Sequence, residues 1–330
     1  MRPPEFWSGS YSASARLAIA ALAPLGAAVD LAGRLRRRLA SPYRAPVPVI
    51  CVGNLTVGGA GKTPVALALA KRLKERNVHF LGHGYGAALA DVTRVDPSKH
   101  DAGRVGDEAL LLAALAPSWV ARDRADAARA AVEAGAGLLI MDDGFQNPGL
   151  AKDLSLVVVD GGAGFGNGHV FPAGPLREDI RRGLARADAL VLVGEDRTGA
   201  LDHRPAGLAL LCAEFEASAG TGDLNDRPVV AFAGIARPEK FFATVAKLGA
   251  HLVARHGFPD HHPYRASEIE RLAGEAYEAG ALLVTTEKDA VRLAPELKRL
   301  VTVIRIELRW REPEALDELL APFLGQGSAP

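Results

Sequence analysis

The chain has 330 residues, 48% hydrophobic and 24% charged, the balance of an ordinary folded protein. At roughly 150 residues per domain, it holds about two domains or one large α/β unit. Its 39 basic and 39 acidic side chains cancel, which excludes a globally basic nucleic-acid binder, and 6% aromatic residues offer little for base stacking. Two cysteines, Cys51 and Cys212, exclude a disulfide scaffold or a four-thiolate zinc site and point to a reducing compartment. The mean hydropathy is +0.07, and no run of about 20 uncharged apolar residues recurs, which excludes a polytopic membrane protein.

The neutral total hides an uneven distribution. Residues 1–46 carry seven Arg against Glu5 and Asp30, a net of +5, which leaves −5 for residues 47–330. Within this segment 17–29 is apolar, too short to span a bilayer comfortably, and weakened further by Pro24 and Gly26. Leu31, Leu35 and Leu39 follow at four-residue spacing, on one helical face, with Arg34, Arg36, Arg37 and Arg38 around them. Such a helix can lie in a membrane interface with Arg reaching anionic headgroups. A soluble helix packed on its own domain, or a signal peptide, fits the same pattern.

After a turn-rich linker at 41–48, short apolar runs alternate with helical stretches. The runs at 49–52, 78–81, 118–120, 138–141, 156–159 and 189–193 are wholly apolar or nearly so, the mark of a parallel sheet buried on both faces. A polar, Gly-containing stretch at 217–228 precedes a second α/β series, with runs at 229–233, 252–254, 282–285 and 301–306. The organisation expected is an N-terminal membrane-associated helix (1–45), a phosphate-loop domain (46–217) and a smaller α/β domain closing over the site (218–330).

The most specific local signal is TVGGAGKT at 56–63, after a strand and at the start of a helix. Backbone amides from Thr56, Val57, Gly58, Gly59, Ala60 and Gly61 would surround a phosphate at the helix N-terminus. Lys62 would reach the β- and γ-phosphates and Thr63 would bind Mg²⁺. Thr56 stands where the usual GxxxxGK[ST] pattern has its first Gly, which alters the loop mouth but leaves the anion cradle.

A phosphate loop needs a carboxylate at the end of a neighbouring strand, and Asp142 and Asp143 follow the run at 138–141. Asp107 and Glu108 open a helix, either as caps or as a base for an attacking hydroxyl. Glu178, after Arg177, is a third acidic candidate on a weak signal. Asp260, His261 and His262 lie between Pro259 and Pro263, which prevents one regular helix. This is either a solvated loop or a His that works with a carboxylate from the first domain; further zinc ligands are lacking.

Taken together, GNLTVGGAGKTP, GYG, VGDE, DDGFQ, PAGPLRE, FPDHHPY and TTEKDAVRL resemble the tetraacyldisaccharide 4′-kinase family in kind and order, from the N-terminal helix to about residue 293. The resemblance implies an enzyme that uses ATP and Mg²⁺ to phosphorylate the 4′-hydroxyl of an acylated glucosamine disaccharide 1-phosphate, giving lipid IVA. It implies a phosphate-loop fold with a second α/β domain and work at the cytoplasmic face of the inner membrane, with no nucleic acid and no obligate protein partner. It assigns Asp107 and His261 to a catalytic dyad, and Asp142, Asp143, Glu108 and Glu178 to acidic positions around Mg²⁺ and nucleotide. His83 stands where the family has Arg, and Asn147 where it has His. Two rivals are a phosphate-loop kinase with a water-soluble substrate and a guanine-nucleotide switch. For the latter the N/TKxD spacing fails, because Lys288 is adjacent to Asp289.

Overall fold

The computed structural model describes residues 4–9, 12–83, 91–218 and 223–324. The chain opens with a 27-residue helix, α1 (Ala13–Leu39), whose N-terminus is capped by the Ser12 hydroxyl, accepting from the Ala15 amide. The apolar stretch 17–29, read as too short to span a bilayer and weakened by Pro24 and Gly26, lies inside this longer, uninterrupted helix. Proline removes one intrahelical hydrogen bond, while Gly26 lets the helix approach the rest of the chain: a Cβ there would stand 2.7 Å from the Val170 carbonyl oxygen. On the same side Asp30 is buried and paired with Arg182 at 2.6 Å and Arg34 at 3.3 Å. Leu17, Leu25, Leu31, Leu35 and Leu39 remain exposed.

The strands of the main unit are β1 (Val49–Gly53), β2 (Val78–Gly82), β3 (Thr93–Arg94), β4 (Ser118–Val120), β5 (Leu138–Asp142), β6 (Leu154–Asp160), β7 (Ala189–Val193) and β8 (Ala209–Ala217). Between them lie α2 (Lys62–Arg72), α3 (Ala102–Val105), α4 (Asp107–Ala113), α5 (Arg124–Glu133) and α6 (Ile180–Leu184). The second unit contains β9 (Pro228–Ala233), α7 (Pro238–Lys247), β10 (His251–Gly257), α8 (Ala266–Glu278), β11 (Leu282–Thr286), α9 (Glu287–Ala290), α10 (Pro295–Lys298) and β12 (Thr302–Ile304). The described chain ends with β13 (Ile306–Trp310) and α11 (Pro313–Leu320), followed by a short 3₁₀ turn.

The large sheet has the order β13-β8-β7-β6-β1-β5-β2-β4-β3. Its five central strands, with β8 and β4 beside them, run parallel; β13 and β3 are antiparallel to their neighbours. Because side chains alternate faces, β1 and β5 supply both cores. Cys51, Leu139 and Met141 face the alanines of α5, and Ile50, Val52 and Ile140 face α2. The wholly apolar runs therefore mean burial on both sides. The smaller sheet, β10-β9-β11-β12, is parallel throughout, with α7 on one face and α8 on the other.

The run read as one strand at 301–306 is divided at Arg305. Thr302–Ile304 joins the small sheet, while Ile306–Trp310 crosses back to pair with β8. Leu308, Trp310, Leu316, Leu320 and Phe323 then pack on the core beneath α2. The end of the segment assigned to the second domain thus belongs to the large sheet, because its apolar side chains complete that core.

Gly53 ends β1 where the chain turns toward the phosphate loop, and a Cβ there would stand 2.4 Å from the Phe145 Cβ and 3.0 Å from its amide nitrogen. Gly53→Ala should therefore cost roughly 1–3 kcal/mol through overpacking. A thermal melt checks this: a lowered Tm is expected, and an unchanged one contradicts the packing account.

Candidate active site

The phosphate loop leaves β1 and enters α2 through two residues in conformations that L side chains rarely adopt, Gly58 at φ +114° and Gly61 at φ +90°. Its mouth is held from the side. The Val57 amide donates to the Pro175 carbonyl at 2.7 Å, and Thr56 bridges Leu176. Thr56, in the place of the usual first glycine, is thus part of the fastening. Lys62 lies with its Nζ 3.5 Å from the Gly58 carbonyl and 3.7 Å from Asp143.

Asp142 and Asp143 divide their work. Asp142, at the end of β5 and buried, accepts a 2.8 Å hydrogen bond from the Thr63 hydroxyl on Oδ2. Its Oδ1 is buried without a hydrogen-bond partner among the described residues. Burial pushes its pKa up, against the opposing effects of Lys62 and the Thr63 hydroxyl. That donor set, a hydroxyl beside a carboxylate with an unspent oxygen, fits a hard divalent cation. Asp143 adopts a left-handed conformation, φ +54°, and takes both guanidinium nitrogens of Arg177 at 2.8 and 3.0 Å. Burial would raise its pKa, but the charges of Lys62 and Arg177 hold it below the usual carboxylate range.

The second cluster is built from both units. Asp107 opens α4 and is buried; His261 arrives from the loop after β10, 154 positions later, and its Nδ1 lies 3.0 Å from Asp107 Oδ2. His261 is held at φ +59°, with its amide donating to the Gly234 carbonyl at 3.1 Å. Gly234 is required there, since a Cβ would meet the Tyr264 hydroxyl at 2.8 Å and Asp289 Oδ1 at 3.1 Å. Asp289, fully buried, accepts from the Gly234 amide at 2.8 Å and from the Tyr264 hydroxyl at 2.7 Å. Arg292 closes the network: its Nε donates to Asp107 Oδ2 at 2.8 Å and its Nη1 to the Gly234 carbonyl at 2.8 Å. Local strain at His261 is thus over-determined by its surroundings, as at many functional sites.

These contacts set the electrostatics. Burial alone would raise the Asp107 pKa, but the hydrogen bond with His261 and the charges of Lys288 and Arg292 hold it far below the ordinary value. The same hydrogen bond raises the His261 pKa. Glu108 is pushed up by burial and by its neighbour Asp107. Lys288 sits among them, 2.8 Å from Glu108, 3.6 Å from Asp260 and 3.4 Å from His261 Nε2. Asp107, Glu108 and His261 have ligand atoms close enough for a metal ion. Lys288 and Arg292 already supply the positive charge there.

Lys62, Thr63, Asp142, Asp143, Glu108 and His261 line one cleft of about 1030 Å³, with Asp107 behind His261. Glu178 lies outside its wall. Its carboxylate is buried between Arg186 at 2.6 Å and Arg37 of α1 at 3.2 Å, and it accepts from Gln146 at 3.1 Å. His83 faces the cleft beside the buried Arg124, 3.4 Å away, so a fixed cation stands next to the titratable ring. Asn147 caps a turn, its side-chain oxygen accepting from the Gly149 amide at 2.8 Å. Of the GYG motif, Gly84, Tyr85 and Gly86 lie outside the described residues. Residue-by-residue reading missed Arg292 and the contacts of Lys288. The available signal was TTEKDAVRL, whose nine letters place both cations one helical turn apart.

Residues 18–324 match the family described as tetraacyldisaccharide-1-P 4′-kinase (LpxK). A tetraacyldisaccharide 4′-kinase of Rhodospirillum centenum is 53% identical over 330 residues, covering 98% of this chain and 97% of that one. One from Gluconacetobacter diazotrophicus is 52% identical with both chains covered in full. Among solved structures, LpxK from Aquifex aeolicus in complex with ATP superposes with a TM-score of 0.75 at 26% identity, covering 93% of this chain and 99% of that one.

The buried network makes one change costly. Arg292→Leu leaves Asp107 and Asp289 without their guanidinium partner and should destabilise the fold by roughly 3–5 kcal/mol. Chemical denaturation reads this as a lowered midpoint; an unchanged midpoint contradicts the pairing.

Proposed function

The chain belongs to the tetraacyldisaccharide-1-P 4′-kinase family, and from that premise we propose how its cleft carries a phosphoryl group from ATP to the 4′-hydroxyl of the lipid A precursor. The observation that supports the reading most is the Asp107–His261 contact, made between two units on the wall of the cleft that also holds the phosphate loop. With Nδ1–H donating to Asp107, His261 Nε2 is the basic atom turned toward the cleft.

The 4′-hydroxyl gives its proton to Nε2 as its oxygen bonds to the γ-phosphorus. The bond from that phosphorus to the β–γ bridging oxygen breaks, and ADP leaves. Asp107 keeps the ring oriented and stabilises the imidazolium. Lys62, with backbone amides of residues 57–63, balances the charge on the phosphates. Thr63 and Asp142 would hold Mg²⁺, with Asp143 keeping Lys62 and Arg177 in place; the bound ion would neutralise charge on the β- and γ-oxygens. Lys288, close to Nε2, favours the neutral ring and so opposes the pull of Asp107. Glu108 belongs with this cluster, and Glu178 with the seat of α1.

The substrate's acyl chains call for an apolar surface. α1 is long and apolar enough to cross a membrane by length and composition, and its exposed leucines offer the face that would meet lipid. Arg37 turns instead onto Glu178, and Asp30 receives Arg182, so this helix is tied to the catalytic body by ion pairs. We place the enzyme at the cytoplasmic face of the inner membrane, where ATP is available.

Incubation with ATP, Mg²⁺ and tetraacyldisaccharide 1-phosphate in detergent micelles should give the 4′-phosphorylated product; none overturns the reading. His261 must be neutral to accept a proton, and its pKa is raised. The acid limb of kcat/KM should therefore lie above the ordinary imidazole value of about 6.5, with activity lost as pH falls through it. Asp107→Asn should lower kcat roughly 10²–10⁴-fold and move that limb to lower pH, with ATP affinity preserved; an unmoved limb contradicts the assignment. Sedimentation with anionic vesicles should carry the chain into the pellet, and recovery wholly in the supernatant contradicts the membrane placement.

A further inference from the structure

Asp160 ends β6 in the main unit, is buried, and has no part in the transfer described above. Its Oδ1 accepts from the Gly162 amide at 2.9 Å. Its Oδ2 is paired with two cations from the other unit, Arg237 and Lys240, at the start of α7. One carboxylate therefore holds two positive charges and leaves one in excess. Burial first, and then the charges of Arg237 and Arg197, bring the Lys240 ammonium down to about 8.

The position of this group gives it meaning. Asp160, Arg237 and Lys240 line the cleft that contains residues 57–63. The turn from β9 to α7 runs from one working part of that cleft to the other. At its start, the Gly234 carbonyl accepts from the His261 amide at 3.1 Å. Two residues on, the Ala236 Cβ stands 3.5 Å from where a Cβ on Gly59 would be, so the turn rests on the phosphate loop. Arg237 comes next. The side chains of Arg237 and Lys240 are 32% and 45% exposed, against 7% for Asp160, so they have room to re-aim while the carboxylate does not.

We propose that Arg237 and Lys240 are polyphosphate ligands: with nucleotide in the phosphate loop they pair with its phosphate oxygens, and Asp160 is the counter-anion that holds them when no phosphate is present. This rests on the reading of 56–63 as the nucleotide loop. A triphosphate offers each cation its own anionic oxygen, where Asp160 makes them share one. Charge-assisted pairs to phosphate are the stronger kind of hydrogen bond. The same turn then couples nucleotide to the position of His261 through Gly234.

The test is the Kd for ATP, measured by titration of the full chain, together with the Tm of each variant. Arg237→Gln and Lys240→Gln should each weaken ATP binding roughly ten-fold, with Tm little changed. Asp160→Asn, which releases both cations, should bind ATP at least as tightly as the wild type. A simple strut between the units predicts otherwise: Asp160→Asn and Arg237→Gln would weaken ATP binding alike and lower Tm alike, and that result overturns the proposal. So does an unchanged Kd in both cation variants. If Arg237→Gln does not fold, Lys240→Gln, on the more exposed side chain, carries the same reading. Lys62→Ala separates the two levels. Loss of ATP affinity there but not at Arg237 or Lys240 defeats only this inference, while no loss at Lys62 defeats the nucleotide loop itself.

Discussion

Burying a carboxylate costs on the order of several kcal/mol unless opposite charge reaches it, and Asp107 is buried where two units of the protein meet. The charge that reaches it comes from the far end of the chain: His261, Lys288 and Arg292 all belong to the second unit. Asp107 is therefore satisfied only when the two units are together. Its demand for cations positions the histidine over the cleft, and the hydrogen bond that satisfies it also makes the imidazole more basic. One contact accordingly joins assembly and chemistry, and the left-handed backbone at His261 is maintained by the network around Gly234 and Asp289.

The phosphate side is organised by a different logic. Gly58 and Gly61 supply backbone freedom, and the strand order places Asp142 beside the loop, since β1 and β5 are neighbours in register with Val52 opposite Asp142. The segment 175–178 fastens the whole: Pro175 receives the Val57 amide, Arg177 holds Asp143, and Glu178 receives Arg37 from α1. A helix suited to lipid is thus connected to the nucleotide loop through a few adjacent residues.

Much of this was legible from sequence where local chemistry is decisive. The glycine-rich loop, the wholly apolar strands and the two acids after 138–141 each state their role within a few residues. The pairing of Asp107 with His261 was not legible from composition, periodicity or spacing, because 154 positions separate them; it came through resemblance to a family. The surroundings of Glu178 were not legible, because sequence shows a carboxylate but not Arg37 and Arg186 that pair with it. The apolar stretch at 17–29 was counted as too short to span because the count stopped at Asp30, whereas the helix runs on to Leu39 with Asp30 paired to Arg182 and Arg34. The return of Ile306–Trp310 to the large sheet was hidden by a continuous apolar run, which carries no mark of which sheet each half will join.

The central claim is that Asp107 and His261 act as a unit, and a double-mutant cycle on kcat tests it most directly. Residues that act together give strongly non-additive losses. Asp107→Asn, His261→Ala and the double variant should be compared in the micelle assay with ATP and Mg²⁺ saturating. The account predicts that the double variant loses about as much turnover as His261→Ala alone. Losses that multiply, as for two independent groups, would contradict it.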